Sequence, residues 1–152
     1  EVIYRTLYRS RIKPLDGLFS FLDDLERNHV PMAMATSAPP GNIEFAFHYI
    51  PVAKYFKYQL NASDIKKGKP DPEIYIKSIQ KLGLSPEECI VFEDSHSGIK
   101  AALAAGARVI GVSTTHKPSE LNGVEKVIPD FIGIKYEDLL KILTGGIGNI
   151  KK

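Results

Sequence analysis

The sequence is poor in cysteine, in long apolar runs and in charge of one sign, and each shortage removes a class of function. Cys89 is the only cysteine in 152 residues, which rules out an internal disulfide and a cysteine-built zinc cluster and suits a reducing cytoplasm. No apolar stretch approaches the ~20 residues that a membrane-spanning helix needs. Lys and Arg number 20 against 18 Asp and Glu, with the signs interspersed, so neither a nucleic-acid stripe nor a polybasic membrane patch is expected. Internal repeats and low-complexity linkers are missing as well. What remains is one ordinary domain, long enough to bury roughly two thirds of its unfolded surface, with a small molecule as the expected partner.

Apolar spacing orders that domain. Val2, Ile3, Leu7 and Tyr8 recur at helical spacing up to about Arg11, and Pro14, Asp16 and Gly17 then punctuate the chain. Phe19, Leu22 and Leu25 mark an amphipathic helix ending near Asn28, with Asp16 as its expected N-cap. The short, almost wholly apolar run Pro31 to Thr36 reads as a strand covered on both faces, as in a parallel sheet. Strands are expected at Tyr58 to Ala62, Cys89 to Phe92, Arg108 to Val112 and Lys126 to Ile128. Helices are expected after Pro39-Pro40, at Pro72 to Leu82, Ser97 to Ala105 and Lys135 to Leu143, with a short helical piece near Ser119. Pro72 suits a first helical turn and Gly106 a left-handed exit. Such alternation predicts an α/β fold with a mostly parallel sheet and helical crossovers. Cys89 reads as an inert core residue. The aromatic group Phe45, Phe47, Tyr49, Tyr55 and Phe56 reads as packing of a helix and its exit against the sheet.

Ligands of open α/β sheets bind beyond the carboxyl ends of the strands, where loops and helix starts present unpaired N–H groups. Three polar clusters fall there. Thr36-Ser37 offers a hydroxyl and successive amides that can donate to phosphate oxygens, or Ser37 simply caps the next helix. Lys69 sits in Gly68-Lys69-Pro70-Asp71-Pro72, where Gly68 permits close backbone approach and the prolines stiffen the segment; a solvated lysine is the plainer alternative. Glu93-Asp94 follows an apolar strand, and adjacent carboxylates there can ligate Mg²⁺, although Asp94 or Ser95 also suits a helix N-cap. His96 borders this cluster and reads as a solvent-facing loop histidine. Together a hydroxyl, a lysine and a carboxylate pair on one sheet edge are equipment for phosphoryl transfer, in which cations neutralise the transferring oxygens and a donor orients them.

At these residues the chain resembles the haloacid dehalogenase superfamily of phosphohydrolases, in the branch of β-phosphoglucomutase and small sugar-phosphate phosphatases. The resemblance runs from about Pro14 to Asp130. The strand ending in Thr36 is similar to the family's second motif, Gly68 to Tyr75 to its third, and Val91 to Ile99 to its fourth. It implies a Rossmann-like three-layer core in which Thr36, with the Ser37 backbone, binds the phosphoryl group and Lys69 stabilises its charge. It also implies that Glu93 and Asp94 hold Mg²⁺ directly or through water. Thr36 and Lys69 would then be the catalytic residues present, acting on a small phosphorylated metabolite, a sugar phosphate by preference. A phosphomutase or a non-catalytic phosphate-binding relative is the alternative. A phospho-accepting receiver domain shares the Asp, Thr and Lys logic, but its elements come in another order.

The family's first motif, an Asp-x-Asp at the end of an N-terminal central strand, has no counterpart. Asp16, Asp23 and Asp24 follow no strand. The expected layout is therefore a cap-domain helix and linker at 1–13, a partial core lacking its central strand at 14–144, and a flexible tail at 145–152. The missing N-terminal segment would be a partner, and the chain alone is expected to be inactive.

Overall fold

The structure is a computed structural model that describes residues 12–145; the helix expected up to Arg11 and the tail from 146 lie outside the described residues. Among the described residues five strands and five α-helices follow in the order α1 (Leu18–Arg27), β1 (Ala33–Ala35), α2 (Pro40–Tyr49), β2 (Tyr58–Leu60), α3 (Glu73–Leu82), β3 (Ile90–Glu93), α4 (His96–Ala104), β4 (Arg108–Val112), β5 (Lys126–Ile128) and α5 (Tyr136–Leu143). The helical piece near Ser119 is a single 3₁₀ turn, Pro118–Glu120. No helix among the described residues is long and apolar enough to cross a membrane.

All strand pairings among the described residues are parallel. β1 pairs with β2, and β3, β4 and β5 form a second sheet in that order. Among the described residues β1 bonds only to β2 and β3 only to β4, so each has one unpaired edge. Burial follows from this. Central β4 has Val109 and Ile110 at 0% and 2% exposure, while Ala33 to Ala35 of β1 and Ile90 to Phe92 of β3 stay half-buried.

The period-2 pleat sorts side chains into two apolar layers. Val109 and Val91 pack with Ile74, Ile79, Ile99 and Ala102 under α3 and α4. Ile110 and Val112, with Ile90 and Phe92, pack with Phe21, Leu25 and Leu139 under α1 and α5. Helices thus cover both faces, which makes the three-layer core. Each fully buried side chain of this kind contributes about 1.5–3 kcal/mol.

Three local expectations change. Gly17, not Asp16, occupies the N-cap of α1, at φ 79° and without a side-chain cap bond. A Cβ there would lie 2.5 Å from the Phe131 carbonyl carbon. Asp16 instead accepts the Phe131 N–H at its own carbonyl. Ser37 does not cap α2, whose N-cap is Pro39. The aromatic group packs mainly on Leu22 of α1: Phe47, Tyr55 and Phe56 join Val52 and Met32 there. Phe45 and Tyr49 pair edge-on along α2, which buries no residue. Gly106 does take the left-handed exit, at φ 86°, and Cys89 is buried with its thiol pushed up chiefly by burial.

Candidate active site

The carboxyl ends of β1 and β3, on either side of the break between the sheets, carry the three clusters to one place. A cavity of about 440 Å³ is lined by Thr36, Ser37, Lys69, Glu93, Asp94 and Ser97, among others. Thr36 continues β1, its N–H bonded to the Leu60 carbonyl of β2 at 3.0 Å. Its hydroxyl accepts the Ala38 N–H at 3.1 Å, which fixes the oxygen and leaves the hydroxyl hydrogen free to donate outward.

Lys69 belongs to the β2–α3 crossover, yet its ammonium lies between the two sheets. It approaches the Ala35 carbonyl of β1 at 3.5 Å and donates to Oε1 of Glu93 at the end of β3. Both side chains are nearly buried, 11% and 7% exposed. Gly68 makes no close approach, since a Cβ there would meet nothing within 4 Å. Besides its prolines, the segment is tied down by Glu73 at the start of α3. Glu73 Oε2 accepts the N–H groups of Lys66 and Lys67 at 3.0 and 2.8 Å, while Oε1 pairs with Lys77 at 2.7 Å. These donors, Lys77 first, hold the Glu73 carboxyl down to about 2.

Glu93 is buried and saturated. Oε1 accepts from Lys69 and from the Tyr75 hydroxyl at 2.5 Å; Oε2 accepts from the Asp94 N–H, the Ser95 N–H and the Ser95 hydroxyl at 3.0–3.2 Å. Burial alone would raise its pKa, but the Lys69 and Tyr75 donors outweigh it and hold the carboxyl below its ordinary value. Gly98 is what lets α4 come this close, because a Cβ there would sit 2.0 Å from the Glu93 carboxyl carbon. Ser95 serves twice: it also caps α4 by accepting the Gly98 N–H at 3.0 Å.

A magnesium ion fits one of the two expected ligands directly. Asp94 Oδ2 accepts from Thr114 and Thr115 at 3.3 and 3.2 Å, while no hydrogen bond among the described residues reaches Oδ1. Glu93 has no comparable vacancy, and direct coordination there would displace one of five donors. No set of three or more His, Cys, Asp or Glu among the described residues is gathered to hold a metal, so Asp94 Oδ1 with water is the donor set that the described residues offer to a hard cation.

Sequence reasoning missed the loop after β4. Thr115 donates to the Asp94 carbonyl at 2.9 Å as well as to its carboxylate, and His116 Nδ1 lies 3.0 Å from that carbonyl. The polar run Ser113 to His116 directly after an apolar strand was the available signal. His96 is exposed and meets His116 edge-on, ring centroids 4.3 Å apart. The N-terminal carboxylates are committed elsewhere: Asp23 accepts from Tyr55 at 2.5 Å, and Asp24 binds the Tyr136 N–H and Arg27.

A family model for haloacid dehalogenase-like hydrolases matches residues 1–106. Hexitol phosphatase A of Escherichia coli is 34% identical over 119 residues, 77% of this chain and 54% of its own length. A family IA, variant 3 hydrolase structure from Entamoeba histolytica superposes with a TM-score of 0.84 at 35% identity, covering 93% of this chain and 66% of that one. The β-phosphoglucomutase structure from Clostridium difficile gives a TM-score of 0.75 at 25% identity, covering 89% and 58%. The chain spans between 38% and 57% of the length of the first curated relatives it matches.

Proposed function

The chain belongs to the haloacid dehalogenase-like hydrolases, and from that premise we propose that it is the C-terminal core portion of a magnesium-dependent phosphatase acting on a small sugar-phosphate-like metabolite. The observation that carries this reading is the position of Lys69, an almost buried ammonium at the cavity between the ends of β1 and β3. In that cavity the Thr36 hydroxyl and the Ser37 backbone bind phosphoryl oxygens and Lys69 neutralises them, an arrangement worth most where water is excluded. Magnesium, held at Asp94, would supply further charge neutralisation. Glu93 acts through Lys69, as its fixed counter-ion.

No Asp-x-Asp occurs in the sequence. We place the nucleophile on an aspartate outside these 152 residues, on a strand that would pair with the edges of β1 and β3 left unbonded among the described residues. Its carboxylate oxygen would bond to phosphorus as the substrate P–O bond breaks and the leaving oxygen takes a proton from the second Asp of that motif; the same carboxylate would then take a proton from the water that releases phosphate from the acyl phosphate. A reducing cytoplasm suits the lone buried Cys89.

Phosphate release from a panel of sugar phosphates tests the reading. Turnover is expected from a protein that carries the Asp-x-Asp strand together with this chain, to be abolished by chelation of Mg²⁺, and none from the chain alone. Turnover by the 152 residues alone would refute the external nucleophile. The likeness to β-phosphoglucomutase favours a second reading, a phosphomutase, which would isomerise substrate without releasing phosphate. Tight phosphate binding with neither outcome would mark a non-catalytic relative.

A further inference from the structure

Tyr75 is the donor that shares Oε1 of Glu93 with Lys69, and it takes no part in the chemistry proposed above. It lies on α3 at 5% exposure. Its hydroxyl donates at 2.5 Å to Glu93 Oε1, the oxygen that also accepts from Lys69, and its ring faces Lys69 Nζ at 4.8 Å from the centroid. One tyrosine therefore meets the ammonium twice, through the ring face and through the shared carboxylate. We propose that Tyr75 is the positioning residue of Lys69, holding the Glu93 carboxylate so that the ammonium paired with it stays at the cavity; this rests on the reading of Lys69 as a phosphate-binding cation.

A lysine ammonium is a point charge on a flexible stem, so one salt bridge fixes it only if the carboxylate is itself fixed. Glu93 Oε2 is pinned by three donors at the start of α4. Oε1 has Tyr75 alone besides the lysine. Removing the hydroxyl frees that oxygen to follow Lys69 rather than to hold it. Burial, and then the Glu93 charge, push the Tyr75 hydroxyl well above its ordinary pKa, so it remains a donor at any working pH. Phenylalanine at this position keeps the ring and its contact with the cation, so Tyr75→Phe isolates the hydroxyl.

The test uses the 152-residue chain with ¹⁵N-labelled lysine. A slowly exchanging Lys69 ammonium resonance is expected in the wild type and its loss in Tyr75→Phe, with Lys54, which sits over the Tyr55 ring, unchanged as a control. Inorganic phosphate should bind about fivefold more weakly to Tyr75→Phe, part of what a hydrogen bond to a charged group is worth. In a Lys69→Met background the same substitution should change nothing further. An unchanged Lys69 resonance, or an equal loss of phosphate affinity in both backgrounds, overturns the proposal. If Lys69→Met does not fold, the resonance alone decides. A resonance that responds as expected in a chain that binds no phosphate would keep the hold of Tyr75 on Lys69 and remove the phosphate role proposed for the cavity.

Discussion

The β3–β4–β5 half and the β1–β2 half of this molecule are built to different standards. In the first, a central strand is enclosed by partners on both edges and helices on both faces, and Val109 and Ile110 are almost fully buried. In the second, two three-residue strands pair only with each other among the described residues, and the helix between them, α2, has no fully buried residue. The difference teaches where the proposed site sits. The ordered half supplies Glu93 and Asp94, the sparse half supplies Thr36 and Ser37, and a lysine from the crossover between β2 and α3 spans the seam.

The largest effect should come from cutting that span. Lys69→Met leaves the Glu93 charge buried without its cation, a loss of about 3–5 kcal/mol for a buried pair. Urea unfolding should show it, and the double variant Lys69→Met/Glu93→Gln should recover part of the loss. Equal stability of the single and double variants would mean that the pair does not join the halves. A close second is Ile110→Ala in β4, expected to cost about 2–5 kcal/mol, against about 1 kcal/mol or less for Met34→Ala in half-buried β1. If the two cost the same, the contrast between the halves is wrong.

Much of this division was legible in the sequence. Arg108 to Val112 and Lys126 to Ile128 match β4 and β5 residue for residue, because continuous apolar runs bounded by glycine or charge leave little choice of register. Thr36-Ser37 and Glu93-Asp94 were legible from their position directly after apolar strands, and Lys69 from its proline-framed segment. Gly68 was misread, since a glycine's need for close approach depends on what lies opposite it in space, and here nothing does. Gly98 is the converse case: it sits in a quoted motif, but its role against Glu93 appears only once α4 is docked on β3. Thr114 and Thr115 were missed because their partner, Asp94, is 20 and 21 residues away in the chain.

Gly98→Ala sharpens the same point at smaller cost. The added methyl collides with the Glu93 carboxyl group, and overpacking of that kind costs about 1–3 kcal/mol. A loss of phosphate affinity should accompany it, because Glu93 can move only by carrying Lys69 with it. Smallest is an acid effect on the loop that carries Lys69. The Glu73 carboxyl is depressed in the folded state, so its contribution is present above the ordinary carboxylate value of 4.5 and is lost as pH falls toward about 2. Amide exchange of Lys66 and Lys67 should accelerate across that window, and in Glu73→Gln it should be fast already at neutral pH.

The most direct test of the central claim is calorimetric titration of the chain with inorganic phosphate, repeated on Thr36→Val and Lys69→Met. Binding at one site that weakens at least tenfold in each variant is the expected result, since both residues line the same cavity. Phosphate binding that neither substitution alters would place the anion elsewhere and contradict the account.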